Sequence, residues 1–541
     1  MRLLAIFGTV LFLTSCMKGK SVDTIVHNAK IHAMDEGMHE YEAMAIRDGK
    51  IVELGPERQI MNKYSAEEYI DAEKRDVYPG FTDAHGHMMS FARMKLSVDL
   101  FGASSMEDLL VRTEKWEQKN DLPFVVGRGW DQTLVSGGEM PSNTELNRLF
   151  PNKPVVLHRI DGHAALVNEK ALQMAGISPN TKVEGGKIEV REGKCTGILL
   201  DNAINLVTAK LPDFKKSAIR DALVEVQQEL LQYGITGVHE AGVDYADLQL
   251  LRGMNNSGKL KLNTYVMLFP TEKNRSWAKK NGVLEEGKLT VRSFKVMGDG
   301  ALGSHGAFLK LPYADDPENV GLLTTKKEEL HEVARLARSI GYQLNVHAIG
   351  DATNRLVLEV MKEQVAKIPD HRWRIEHAQV VDPADLALFS ELNVIPSVQP
   401  VHAVSDRHWA EKRLGKGRLK GAYAYASLLN AKGMLAIGTD FPVEHFNPFL
   451  TIQAAVYRTN ADNEPIGGFL PEEAISFEDC IRGMTLWAAI AAFQENRLGT
   501  LERDKDATFV ILQNALKPNP VFTPNFAHKV FVNGKLMYET A

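Results

Sequence analysis

The sequence predicts an α/β protein: a (β/α)8 barrel with a small β-domain built from both chain ends and a subdomain inserted after the first barrel strand. Three observations carry this. Short apolar runs alternate with helical stretches eight times along the middle of the chain, which is the pattern of a parallel sheet wrapped by helices. Both ends are rich in strand signals. More than a hundred residues separate the first two barrel strands, too many for an ordinary loop.

The eight candidate strands are Val77–Ala84, Ile235–His239, Leu262–Met267, Arg292–Val296, Gln343–His347, Trp373–His377, Val394–Val398 and Met434–Thr439. Stretches such as Ser217–Tyr233, Lys326–Ile340 and Asn354–Ile368 read as the intervening helices. A doubly wound open sheet is the rival, but no glycine-rich phosphate loop follows the first strand. At the N-terminal end, Asp48-Gly49 between apolar segments is a hairpin signal, and Asn533-Gly534 repeats it near the C-terminus. Residues 22–77 and 498–541 are therefore assigned to one composite β-domain, 78–497 to the barrel and 101–211 to the insertion. Within the insertion, Pro123–Arg128 and Pro154–His158 read as strands.

The chain has 541 residues, 44% hydrophobic and 24% charged, with a formal net charge of -6, values ordinary for a globular protein with a large core. No Lys/Arg-rich run points to nucleic acid. Residues 1–16 have a basic start, an apolar run from Leu3 to Leu13, and then Leu13-Thr14-Ser15-Cys16. This ending resembles the lipobox of bacterial lipoproteins, which implies cleavage before Cys16, its lipidation, and an extracytoplasmic body anchored to a bacterial membrane. The other two cysteines, Cys195 and Cys480, do not make a disulfide framework.

The chemistry lies at strand ends. His85 and His87 are two apart at the end of the first strand, so their side chains share a face. Lys295 ends the fourth strand, His347 the fifth, His377 the sixth and Asp440 the eighth. Barrel enzymes build their sites at the C-terminal strand ends. Taken singly, each residue has a structural explanation: a hydrogen-bonded core histidine, a snorkelling lysine or a helix cap. Six on one rim are hard to explain that way. Imidazoles and a carboxylate suit Zn²⁺ and related ions. A buried lysine can shed its proton and react with carbon dioxide, giving an anionic carbamate.

The blocks Pro79–His87, Lys295–Ser304, Val346–Asp351, Glu376–Gln379 and Gly438–Pro442 resemble the amidohydrolase superfamily, in particular the amidohydrolase-3 or YtcJ-like group that includes N-substituted formamide deformylases. The resemblance spans nearly all of the chain after Cys16. It implies a distorted barrel, a β-sandwich of both termini and a metal centre, with two zinc ions expected and Mn²⁺ or Fe²⁺ as alternatives. His85 and His87 would hold one metal, His347 and His377 the other. Lys295, carboxylated, would bridge them, and Asp440 would touch a metal and shuttle the proton. The implied reaction is hydrolysis of a non-peptide C–N bond in a small molecule by metal-activated hydroxide.

Trp130, His163, His239, His305, Gln399 and His402 are candidate substrate contacts. His305 stands where many members carry arginine, and Val135 where many carry an aromatic residue. Glu376, beside His377, is expected on the opposite strand face in a structural role. The expected partners are a small-molecule substrate and, through the lipid, a membrane; the sequence is compatible with a homodimer. Two rival functions remain: a ligand-binding lipoprotein on the same scaffold, whose mark would be a broken ligand set, and an esterase or lactonase using the same site.

Overall fold

The computed structural model describes residues 19–120, 122–366, 368 and 370–540; Cys16 and the signal-like segment before it lie outside the described residues. Eight parallel strands follow one another in a single sheet: Phe81–Gly86 (β1), Ile235–Val243 (β2), Asn263–Leu268 (β3), Leu289–Met297 (β4), Gln343–Ala348 (β5), Arg374–His377 (β6), Ile395–Val398 (β7) and Ala436–Ile437 (β8). The α/β barrel class is as the sequence predicts. Helices wrap it because their apolar residues recur every three or four positions. Lys216–Gln232, for example, buries Ile219, Leu223, Val226 and Leu230 on one stripe.

The sheet closes between β1 and β8 largely through side chains. Asp83 accepts hydrogen bonds from the Thr439 hydroxyl at 2.6 Å and the Thr439 amide at 3.1 Å. The Asp440 amide donates to the His85 carbonyl at 2.7 Å. The seam is tight: a Cβ on Gly438 would lie 2.4 Å from the His85 nitrogen.

One strand assignment needs correction. The run Val77–Ala84 is not a single barrel strand. Asp76–Pro79 pairs with Phe509–Ile511 and Lys30–Ile31 outside the barrel, whereas Phe81–Gly86 pairs with β2. The switch falls at Gly80, where a Cβ would lie 2.2 Å from the Thr236 hydroxyl. Hydrophobic periodicity does not register a change of partner.

Strands from both chain ends share one six-stranded sheet, ordered Lys535–Glu539, Ala527–Val532, Phe509–Leu512, Asp76–Pro79, Lys30–His32 and Glu40–Tyr41. A four-stranded sheet from residues 20–71 accompanies it, and Val26, Ile46, Ile51, Phe509 and Phe531 share a core. Both hairpin signals form turns with positive φ at each central residue, Asp48-Gly49 (52° and 73°) and Asn533-Gly534 (53° and 72°). That geometry matches strand twist and favours Asn or Asp before Gly.

The insertion forms its own six-stranded sheet from Val98 to Asp201. The ends of its neighbouring parallel strands Val125–Trp130 and Val155–Arg159 reach the barrel mouth, bringing Arg128 and the Arg159–His163 turn into the central cavity. Cys195 and Cys480 are free thiols. Among the described residues, no helix is long and apolar enough to cross a membrane.

Candidate metal centre and active site

His85, His87, Lys295, His347, His377 and Asp440 all line one cavity of about 460 Å³ at the C-terminal mouth of the barrel. His85 Nε2 lies 3.2 Å from Lys295 Nζ and 3.6 Å from Asp440 Oδ1. His87 Nε2 lies 2.8 Å from the same Asp440 oxygen. The His347 and His377 rings are 4.6 Å apart, and those of His85 and His377 are 4.8 Å apart. One donor atom each from His85, His377 and Asp440 falls within 4.8 Å of the others, a spacing one ion could satisfy.

The electrostatics suit a cation. Burial, reinforced by the nearby Lys295 charge, lowers His85 to about 4. Burial likewise holds His347 and His377 well below the ordinary imidazole range. Neutral imidazole is the form that ligates metal. Burial alone would raise the Asp440 carboxyl, but the hydrogen bond from His87 and the surrounding imidazoles outweigh it and hold it well below the ordinary carboxylate range. Burial lowers Lys295 to about 8 against the opposing pull of Glu376 and Asp440. His347 Nε2 is buried without a hydrogen-bond partner among the described residues. A buried polar atom is costly unless something satisfies it. The donor set therefore fits a divalent ion.

A supporting layer orients these groups. Glu376 accepts from His85 Nδ1 at 2.5 Å, leaving Nε2 to face the centre. Arg374 in turn holds Glu376, with Nε 2.7 Å from Oε1. Such carboxylate–histidine pairs fix the tautomer and ring orientation of a ligand. Here the expected place of Glu376 is corrected: it points into the barrel like Arg374, two residues before it. His377 is the residue that departs from alternation, because its φ of +73° swings its side chain inward beside Glu376.

Gln399 stands behind the His377 ring. Its Oε1 accepts from His377 Nδ1 at 2.7 Å, so it positions a ring and does not line the cavity. His239 sits within the barrel, where its Nδ1 accepts from Arg374 at 2.9 Å; it too is absent from the cavity wall.

Of the other candidate contacts, His163 and His402 line the cavity. His163 Nδ1 donates to Asp201 at 2.7 Å, and its ring lies 5.2 Å from that of His347. The His402 ring stacks 6.1 Å from His377. Trp130 and His305 do not reach the cavity. Trp130 is fully buried in the insertion core, where its indole donates to the Leu157 carbonyl at 2.7 Å. His305 turns towards Asp315, 3.1 Å away, and packs on Tyr313. Val135 belongs to the same core as Trp130. The sequence reading passed over Asp299, Asp201 and Arg128. Asp299 accepts from the amides of Phe308, Ile349 and Gly350 and so ties the loops after β4 and β5 together.

The amidohydrolase family profile matches residues 68–538, most of the chain. The chain belongs to the amidohydrolase family. The putative amidohydrolase YtcJ of Bacillus subtilis (strain 168) is 30% identical over 530 residues, covering 95% of this chain and 99% of that protein. The N-substituted formamide deformylase of Arthrobacter pascens is 24% identical over 547 residues, covering 96% of this chain and 98% of that protein. Among solved structures, an uncharacterized metal-dependent hydrolase from Pyrococcus horikoshii OT3 superposes with a TM-score of 0.76 at 27% identity, covering 92% of this chain and 98% of that one. This amidohydrolase is accordingly a hydrolase, and its six polar strand-end residues lie where barrel enzymes keep their chemistry.

Proposed function

We propose that this amidohydrolase cleaves a C–N bond other than a peptide bond, in a small amide such as an N-formyl or N-acyl amine or a cyclic amide. The observation that carries the reading is the complete donor set converging in one cavity, with Asp440 held ionised against burial. His85, His87, His347, His377 and Asp440 would hold one or two divalent ions, zinc being the first choice for these ligands. Such an ion supplies Lewis acidity and makes a water molecule acidic enough to attack near neutral pH.

The chain's own residues do the rest. Asp440 accepts the proton of the attacking water and passes it to the leaving nitrogen, which departs poorly until protonated. His87, 2.8 Å from Asp440, orients that carboxylate. Lys295, lowered to about 8 by burial, has enough neutral amine to add carbon dioxide, losing a proton and becoming an anionic ligand in place of a cation. His163 and His402 contact the substrate from the cavity wall. The activity for which the Arthrobacter relative is named makes formamides the first substrates to try. The lipobox-like Leu13–Cys16 supports export and a lipid anchor on Cys16; Cys16→Ser is expected to release the protein from the membrane fraction.

The deciding assay uses zinc- and bicarbonate-loaded protein with N-formyl amines, N-acyl amines, cyclic amides and simple esters. Asp440→Asn is expected to lower turnover by about 10²–10⁴-fold, the usual weight of general acid–base catalysis. Full turnover in that variant would remove Asp440 from the mechanism. Turnover of esters alone would move the reading to an esterase.

A further inference from the structure

Two guanidinium groups line the wall of the cavity that the insertion contributes, and their surroundings differ. Arg159 is neutralised within the protein: it pairs with Asp161 at 2.6 Å and Asp131 at 3.3 Å, and donates to Gln132 at 2.6 Å. Arg128 meets only neutral acceptors. Its Nε and Nη2 donate to the Ile160 carbonyl at 3.3 and 3.1 Å, and its Nη1 to the Ser90 hydroxyl at 3.2 Å. Among the described residues it forms no ion pair; Asp440 and Asp161 act on it only at longer range.

A partly buried guanidinium without a carboxylate partner is uncommon, because its charge is left uncompensated. Arg93, Arg159, Arg372, Arg374 and Arg413 in this chain have such partners. Arg458 is buried without one, but it donates to the Phe469 and Tyr423 carbonyls, packs over the Tyr425 ring and does not line the cavity, whereas Arg128 does. Arg128 is also held in place. It lies near the end of an inserted strand, and the two carbonyl bonds clamp its inner edge. Ser90, three residues after His87, ties it to the helix that begins at the metal centre. Gly162 keeps space open beside it: a Cβ there would come within 3.1 Å of Nη2. Elsewhere on its wall the cavity offers apolar surface from Phe269, Leu302, Trp409 and Val443.

We propose that Arg128 is the anion-recognition group of this site, and that the substrate is an amide carrying a carboxylate, an N-acyl or N-formyl amino acid or a close analogue. The substrate part of this inference rests on the C–N hydrolase reading; the anion site itself does not. A planar guanidinium binds a carboxylate through two parallel hydrogen bonds, and such charge-assisted pairs are the strong ones. The carboxylate anchors one end of the molecule on the insertion and leaves the amide to face Asp440. Residual substrate atoms pack on the apolar wall.

The test compares N-formylmethionine with N-formyl-3-(methylthio)propylamine, which differs only in lacking the carboxylate, on zinc-loaded protein. Wild type is expected to favour the carboxylate by on the order of 10²-fold in kcat/KM, the scale set by truncating one partner of a buried charge pair. Arg128→Met brings that ratio close to one. Arg128→Lys, which keeps the charge but loses the fork, leaves an intermediate ratio. A ratio unchanged by either variant overturns the assignment and leaves the hydrolase reading standing.

A second readout is independent of turnover: calorimetric binding of 4-(methylthio)butanoate, which has no C–N bond, to chelator-treated protein. If wild type cleaves neither formamide yet binds this carboxylate, and Arg128→Met does not, the anion site stands and the C–N reading falls. Binding that is absent from wild type or equal in Arg128→Met overturns the anion site.

Discussion

Glu376 and His377 show why adjacent residues need separate arguments. Strand alternation sends neighbours to opposite faces, and for a regular strand that is sound. At the end of β6, the positive φ of His377 breaks the rule and turns both side chains towards the centre. Nothing in residue type announces a left-handed histidine. The polar residues that converge on the cavity were legible because histidine, lysine and aspartate stand out at the ends of apolar runs. Their supports, Gln399, Arg374 and Asp299, were not, because polar residues inside a barrel look like any other polar residue until their partners are known. The geometry gives two predictions at this scale. Glu376→Gln keeps an acceptor near His85 Nδ1 but removes its charge, and is expected to weaken zinc affinity by about 10–100-fold, measured by competition with a chromophoric chelator. Unchanged affinity would mean that Glu376 serves only Arg374. Lys295→Ala is expected to abolish turnover, with partial recovery on adding formate or acetate, small carboxylates able to occupy the space of a carbamate. Failure of every carboxylate tried, in folded and metal-loaded protein, would count against the carbamate.

Elements were easier to read than their boundaries. Each of the eight barrel strands overlaps the apolar run that predicted it, though five run past its ends, because a parallel strand buried on both faces leaves a nearly continuous hydrophobic signature. The two hairpin turns were legible for a different reason: only a few dipeptides accept two successive positive φ values. The split at Gly80 was hidden because an extended chain can leave one sheet and enter another without a loop. The seam between β1 and β8 was also hidden, since two residues of β8 give almost no periodic signal and closure depends on Asp83 and Thr439. Gly438 therefore has a structural task that a sequence cannot show. Gly438→Ala is expected to destabilise the protein by about 1–3 kcal/mol, the usual cost of overpacking a filled site. Because the clash falls on the backbone of His85, zinc affinity should fall with it. Gly417→Ala is the control, since a Cβ there meets nothing within 4 Å. Equal melting temperatures for the two variants would mean that the seam relaxes freely.

At the scale of the whole molecule, the barrel brings together residues up to 355 positions apart, from His85 to Asp440, so the site exists only in the folded chain. An ion bound by ligands from β1, β5, β6 and the segment after β8 ties these strands together and binds the folded state alone. By mass action it must stabilise that state by RT ln(1 + [L]/Kd), about 2.7 kcal/mol at a hundredfold excess over Kd. The melting temperature of chelator-treated protein is therefore expected to climb steadily with the logarithm of free zinc once zinc exceeds Kd. The same titration separates affinity from fold: Glu376→Gln should displace the curve to higher zinc by the factor that its affinity has lost. Gly438→Ala should also lower the melting temperature without zinc, because its clash does not require the ion. Asp440→Asn should still show a rise, since four histidines remain, even as turnover collapses. A wild-type melting temperature indifferent to zinc would mean that the converging histidines do not form a metal site, and the cavity would then be read as a binding pocket on a barrel scaffold.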